Sequence, residues 1–320
     1  MSKVPFFDPV QEGIQRVEGR MIGQAEGLNP ELSAALRLLI ASGGKRIRVA
    51  VTLLMGGMLN ANAEKLTTLA SAIELLHTAT LVHDDLIDGA LIRRGTPTLN
   101  ASWSPAATVL TGDYIFARAA KLAAETGSVP IIILFAETLA IIVNGEITQM
   151  FGKHQLIDRT AYDQRIYAKT ASLFETACRS AAILSTQDEA VWENARLYGY
   201  HIGMAFQIVD DILDFTGEQE TIGKPVANDL RQGLVTLPAL LHYEHQSNQS
   251  LIESVINGEA TEAEINRLVE AIRKEGAIDA SMQIALEYVE RGLNTLSGFP
   301  ACLERQSLES LARFIVERRK

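Results

Sequence analysis

Apolar residues recur at i, i+3, i+4 and i+7 along nearly the whole chain, the spacing that turns one stripe of an α-helix toward a core. The pattern predicts helices over roughly 8–26, 46–59, 63–87, 105–126, 129–152, 160–185, 188–215, 234–246, 278–296 and 302–318, and few strands. Two more helices carry marks at both ends. Asn29-Pro30 ahead of ELSAALRLLIAS supplies an N-cap with proline at the first helical position, and Gly43-Gly44 follows where that helix should stop. Thr261 and Glu264 form a capping box for ATEAEINRLVEAIRKEG, with Gly276 as its terminator. Connections are short and no Pro/Gly/Ser-rich linker divides the chain, so a single all-α domain over 1–320 is expected. Many helices are apolar over much of their circumference, which suggests central helices wrapped by others. The longest apolar stretch, VPIIILFAETLAIIVNGE, is interrupted by Glu137 and closed by Glu146; it is expected to be too short for a membrane span and buried in the core.

The 320 residues are 47% hydrophobic, enough for a packed core, and that excludes disorder. A net charge of -10 argues against nucleic acid or an anionic membrane as partner, so any basic site must be local. The two cysteines, Cys178 and Cys302, match neither a disulfide framework nor a zinc site, and a reducing cytoplasm is the expected compartment. The start, MSKVPFFDPVQEG, does not read as a signal peptide.

The chemistry is announced by a pattern that occurs twice, LVHDDLID ending at Asp88 and QIVDDILD ending at Asp214. In each copy the outer aspartates, Asp84 and Asp88 or Asp210 and Asp214, are one helical turn apart on the same face, with Asp85 or Asp211 beside them. Two unit charges about 4 Å apart interact by about 4 kcal/mol at an effective dielectric near 20, so converging carboxylates call for cations. Hard oxygen donors without a histidine or thiolate cluster favour Mg²⁺, which bridges carboxylates to phosphate oxygens. One copy alone could be a solvated helix end; two copies, each after a strongly apolar run and each followed by basic residues, disfavour that. An EF-hand loop is excluded by its missing glycine and glutamate.

Lys45, Arg46 and Arg48 in GGKRIR and Arg93 and Arg94 in GALIRRGTP are conspicuous in an acidic chain and suit phosphate contacts. Arg46 taken alone reads as a counter-charge to neighbouring acids. GEQETIGKP is no P-loop, because its glycines are misspaced and Pro225 stands where Ser or Thr should bind magnesium.

These motifs, together with Lys169-Thr170, FQIVDDILDFTG, GKPVANDLRQGLVTLP and the tail ERRK, make the chain resemble the all-trans polyprenyl diphosphate synthases over nearly its whole length. The resemblance implies the all-α isoprenoid synthase fold, antiparallel helices around a deep central cavity, usually as a homodimer. It further implies three Mg²⁺ held by Asp84, Asp85, Asp88 and Asp210, with Asp211 and Asp214 completing the second motif. By the same resemblance Arg93, Lys169, Gln207 and Lys224 contact the diphosphate of the allylic substrate, and Lys45, Arg48, His77 and Arg94 form the pocket for isopentenyl diphosphate. Thr170 and Gln207 would place oxygen dipoles beside a developing carbocation, and the released pyrophosphate would take the proton.

Two positions depart from the family pattern. Val49 replaces a common proline. Leu234 replaces a lysine that in many members reaches the allylic diphosphate, so that contact must be absent or supplied otherwise. The tail Arg318, Arg319 and Lys320 would either help close the site or fray. A terpene cyclase or head-to-head condensing enzyme would lack the isopentenyl pocket, and a regulatory subunit would be expected to lose aspartates. Ala79 and Thr80, on the approach to Asp84, are small and leave room for a growing tail; the resemblance, in which members that stop at three or four units often carry an aromatic residue at one of these positions, implies a long product, about C30 or beyond, a quinone side-chain precursor, rather than a farnesyl or geranylgeranyl one. On the next long helix Phe135, Leu139, Ile142 and Glu146 share a face, with Phe135 about 16 Å from Glu146. Phe135 is thus a candidate cavity floor, with ordinary core packing as the alternative.

Overall fold

The computed structural model describes residues 5–42, 44–93, 95–217, 226–245 and 249–318. Fourteen helices longer than one turn carry the described chain: α1 Gln11–Gly23, α2 Pro30–Ala41, α3 Ile47–Met58, α4 Ala63–Ile87, α5 Pro105–Glu125, α6 Val129–Phe151, α7 Arg159–Ile166, α8 Ser172–Ser185, α9 Glu189–Thr216, α10 Leu237–His245, α11 Ser250–Ile256, α12 Glu262–Lys274, α13 Ala277–Thr295 and α14 Leu303–Glu317. The strands described are β1 Ile92–Arg93 and β2 Thr96–Pro97, paired antiparallel. Two compact units are built from this chain. The first holds Met1–Leu139, Leu173–Gly199 and Thr295–Leu311; the second holds Ala140–Ser172, Tyr200–Asn294 and Ala312–Lys320.

In the first unit α3 and α4 are deeply enclosed, with Val49, Ala50, Val51 and Leu54 on one and Leu69, Ile73, Leu76 and Ala79 on the other withdrawn from solvent. Burial on several sides explains why their apolar pattern runs round the helix instead of along a stripe. Arg46, in the left-handed conformation at φ 48, bonds Glu18 at 3.0 Å, Glu74 at 2.8 Å and the Ile40 carbonyl at 2.6 Å. It is the counter-charge its sequence context suggested, and it ties together α1, α2 and α4. At Gly112 of α5 an added Cβ would lie 2.2 Å from the His83 ring, so a larger residue there would have to displace that side chain of α4.

In the second unit Tyr162, Phe215, Leu230 and Ile272 are buried. The Thr261–Glu264 capping box opens α12 as its sequence predicts. Asn29 likewise caps α2 in the first unit; the stop signal Gly43 lies outside the described residues.

Four expectations need correction. The first helix begins as a 3₁₀ turn, Pro5–Val10, before α1, with Pro9 inside that turn. The segment 160–185 is divided by a π-helical turn, Tyr167–Ala171. The segment 234–246 becomes helical only at Leu237, and α11 was not foreseen. The largest difference is α6. At 23 residues it is long and apolar enough, by length and composition, to cross a membrane, and only 28% of its most apolar stretch is buried. Ile131, Leu134, Phe135, Thr138 and Ile142 face the protein, while Val129, Ile133, Ala136, Ala140, Val143, Ile147 and Met150 are exposed. Both faces are apolar, so hydropathy alone could not tell the buried side from the open one.

Candidate active site

The first aspartate motif closes α4. Asn62 caps the helix start, accepting from the Lys65 amide at 3.0 Å, and Asp88 is the C-cap, its amide donating to the Asp84 carbonyl at 2.8 Å. The helix ends at Gly89, in the left-handed region at φ 63. Asp84 is half-buried, Asp85 buried and Asp88 exposed. The β1–β2 ribbon turns at Gly95, φ 76, and returns Arg93 to the motif, where its Nε donates to Asp85 Oδ1 at 2.7 Å. Arg94 lies outside the described residues.

About two turns before Asp84, the structure brings together two of the predicted isopentenyl-pocket residues. Arg48 Nη1 and His77 Nε2 stand 3.2 Å apart, and the Arg48 guanidinium lies over the Phe174 ring at 4.8 Å. Lys45 precedes α3 in an exposed position. Thr80 is half-buried and spends its hydroxyl on the His77 carbonyl at 2.8 Å; Ala79 is fully buried and Phe135 is 4% exposed.

The second motif closes α9 in a different environment. Asp211 is 3% exposed and accepts from Tyr162 Oη at 2.7 Å and from Gln207 Nε2 at 2.8 Å. Thr170 donates to Gln207 Oε1 at 2.6 Å, which completes a chain from Thr170 through Gln207 and Asp211 to Tyr162. Burial, then the nearby Asp229 charge, push the Asp211 carboxyl up to about 7, against the two hydrogen bonds and the Arg165 charge. Burial, with the Asp211 charge, pushes the Tyr162 phenol well above its ordinary value. Asp210 Oδ1 receives Arg318 Nη2 at 2.7 Å; the same guanidinium donates to the Phe206 carbonyl and lies 4.0 Å from the Phe206 ring centroid. Asp214 accepts the amides of Asn228 and Asp229 at 3.2 Å each. Lys169, on the π turn, faces Glu146 at 3.6 Å. Lys224, Pro225, Arg319 and Lys320 lie outside the described residues.

Sequence reasoning missed Tyr162, Arg165 and Glu146, and it left Arg318 open as a fraying tail, whereas its side chain is only 6% exposed. The carboxylates are also less bare than their spacing implied, since Arg93 and Arg318 already stand on Asp85 and Asp210. Both motifs end their helices, where the carbonyl ends carry the negative pole of the helix dipole; acids there are unfavourable without a cation. The donors are the hard oxygens that Mg²⁺ takes, so the chemistry fits, although among the described residues no three acids, histidines or cysteines are gathered about one ion position.

Comparison with known proteins identifies the family. The Polyprenyl synthetase family model matches residues 29–272. The chain is 40% identical over 287 residues to heptaprenyl diphosphate synthase component 2 of Geobacillus stearothermophilus, covering 89% of each. It is 35% identical over 302 residues to an all-trans-nonaprenyl-diphosphate synthase (geranyl-diphosphate specific) of Rhodobacter capsulatus, covering 92% of each. Its fold superposes on a polyprenyl synthase of Caulobacter crescentus CB15, solved with calcium and isoprenyl diphosphate, with a TM-score of 0.92 and 35% identity over 98% of this chain and 97% of that one. A predominantly helical chain with two aspartate-closed helices, matched in sequence and in fold, is therefore a prenyltransferase and belongs to the polyprenyl synthetase family.

Proposed function

We propose that the chain joins isopentenyl diphosphate to an allylic diphosphate in a Mg²⁺-dependent 1'-4 condensation, repeated to a long product of about C30 or beyond. The reading rests on the two aspartate motifs, each closing an apolar helix with an arginine on one of its carboxylates, and it treats them as parts of one catalytic domain. Three bound Mg²⁺ would neutralise the departing pyrophosphate. Arg93, Lys169, Gln207 and Lys224 hold the allylic diphosphate, and Lys45, Arg48, His77 and Arg94 hold the second. The allylic carbon–oxygen bond breaks, the isopentenyl double bond attacks the resulting cation, and a proton leaves to pyrophosphate, so no protein nucleophile is needed. Thr170 and Gln207 present dipoles fixed in advance by their mutual hydrogen bond and by Asp211. Apolar packing before each motif keeps out water that would quench the cation.

Purified chain supplied with labelled isopentenyl diphosphate, Mg²⁺ and allylic primers of different lengths, with products sized by chromatography, tests activity and length together. Incorporation that requires a primer and yields a product of about C30 or beyond supports the proposal; none at any primer length refutes it. Ala79→Tyr should shorten the product and Phe135→Ala lengthen it, and an unchanged distribution in both would show that length is set elsewhere.

The exposed seam of α6 supports a homodimer. Val129, Ile133, Ala136, Ala140, Val143, Ile147 and Met150 alternate three and four apart, the spacing of a helix–helix contact. Val143→Glu with Ile147→Glu should convert the dimer to a monomer in analytical ultracentrifugation. The Geobacillus relative is named as one component of a synthase, so the competing occupant is a different subunit; a wild-type chain that sediments as a monomer favours that occupant.

A further inference from the structure

Leu234 stands where the resemblance expects a lysine, and the structure sets an arginine against the next residue. Arg165 of α7 donates through Nη2 to the Val235 carbonyl. Its guanidinium carbon lies 5.6 Å from the Tyr162 ring centroid, and Tyr162 holds Asp211 through its hydroxyl. The other arginine on that ring, Arg159 at 5.9 Å, is neutralised by Asp163 at 2.9 Å. Arg165 has no such acid: among the described residues its one hydrogen bond goes to a neutral carbonyl, and four of its five N–H donors stay available. The side chain is half-buried, and its charge is felt at the Asp211 carboxyl. An arginine that merely braced the 235 carbonyl would need a donor but no charge.

We propose that Arg165 is a diphosphate-binding residue, giving the allylic diphosphate at the second aspartate motif the positive charge that Leu234 lacks. The proposal rests on the condensation reaction above. Its geometry is that of a transferred role: the cation arises from α7 instead of from position 234, and its tether to Val235 keeps it next to the segment that would otherwise have carried the lysine. A planar fork suits a diphosphate oxygen pair better than a point charge does, which favours arginine at the greater reach.

The test uses the full chain in three variants: Arg165→Gln, which keeps a donor for Val235 and loses the charge; Arg165→Lys, which keeps the charge; and Arg165→Gln combined with Leu234→Lys. Binding of inorganic pyrophosphate in the presence of Mg²⁺ is read by calorimetry, and the Michaelis constants for allylic primer and isopentenyl diphosphate are read separately. Arg165→Gln should weaken pyrophosphate binding and raise the allylic constant by about tenfold, with the isopentenyl constant within about twofold. Arg165→Lys and the double variant should each recover most of that loss. Unchanged pyrophosphate affinity in Arg165→Gln, equal losses for Gln and Lys, equal effects on both substrates, or no recovery by Leu234→Lys would each overturn the proposal. Calorimetry keeps the two proposals distinguishable: a wild-type chain that binds pyrophosphate through Arg165 but condenses nothing refutes only the reaction.

Discussion

The two aspartate motifs are close copies in sequence and unlike in surroundings. The one on α4 runs outward: Asp85 is paired with a cation from the β1–β2 ribbon, and Asp88 ends the helix in solvent. The one on α9 runs inward: Asp211 is held by a phenol and an amide, both neutral, and Asp214 is spent on the backbone of the next turn. Spacing therefore dictates which face the carboxylates share, while the charge each one carries is set by what packs beside it. The α4 copy leaves Asp88 open to solvent beside an arginine-paired Asp85. The α9 copy is a built scaffold with Asp210 at its edge.

The strongest test of this contrast is kinetic. Asp84→Ala and Asp210→Ala should each lower turnover on the order of a hundredfold or more at limiting Mg²⁺, since each removes a charge that acts in the transition state. Near-normal turnover in one of them would mean that only the other motif works. Stability should then separate what turnover joins. Asp210→Ala leaves the enclosed Arg318 guanidinium without its carboxylate and should cost about 1–2 kcal/mol in denaturant titration, whereas Asp88→Ala at the exposed end of α4 should stay within about 0.5 kcal/mol of wild type.

A third test uses pH. Folded Asp211 keeps its proton up to about 7, while an unfolded aspartate loses it near about 4, so between these values the folded chain holds the extra proton. Its contribution to stability without metal should fall as pH rises through that window and level off above it. Asp211→Asn, which cannot titrate, should lack this component when melting curves are compared in chelator; identical pH profiles would contradict the buried, neutral-donor environment. The smallest expected effect is a control within the second unit. Thr261→Ala removes the α12 capping box and should cost about 1 kcal/mol while turnover is unchanged, which separates loss of stability from loss of the motif.

Much of this was legible in the chain. Helix spacing located most of the helices, the repeated aspartates and the counter-charge role of Arg46 followed from residue type and position, and the family resemblance assigned Arg48 and His77 to a common pocket. What was hidden depends on distant packing. Tyr162 lies 49 residues from the Asp211 it holds, and Arg318 lies 112 from the Phe206 carbonyl it meets, separations at which no local pattern carries a signal. The open face of α6 was hidden for a different reason. Its residues are as apolar as a core, and a single chain's hydropathy does not state whether a partner covers them.

The π turn at Tyr167–Ala171 acts as a phase adjuster. In an unbroken α-helix Tyr162 and Thr170, eight residues apart, would be rotated about 80° from each other. One residue absorbed into the wider turn brings that offset to about 20°, so both side chains point at α9, Tyr162 to Asp211 and Thr170 to Gln207. The alignment of the two side chains is thus a property of the wider turn, which hides one extra residue from the helical phase. Straightening all five residues into regular α-helix would turn Tyr162 about 100° away from its present alignment, whereas deleting one of them other than Thr170 would restore a regular helix with Tyr162 and Thr170 seven residues apart and still about 20° from each other.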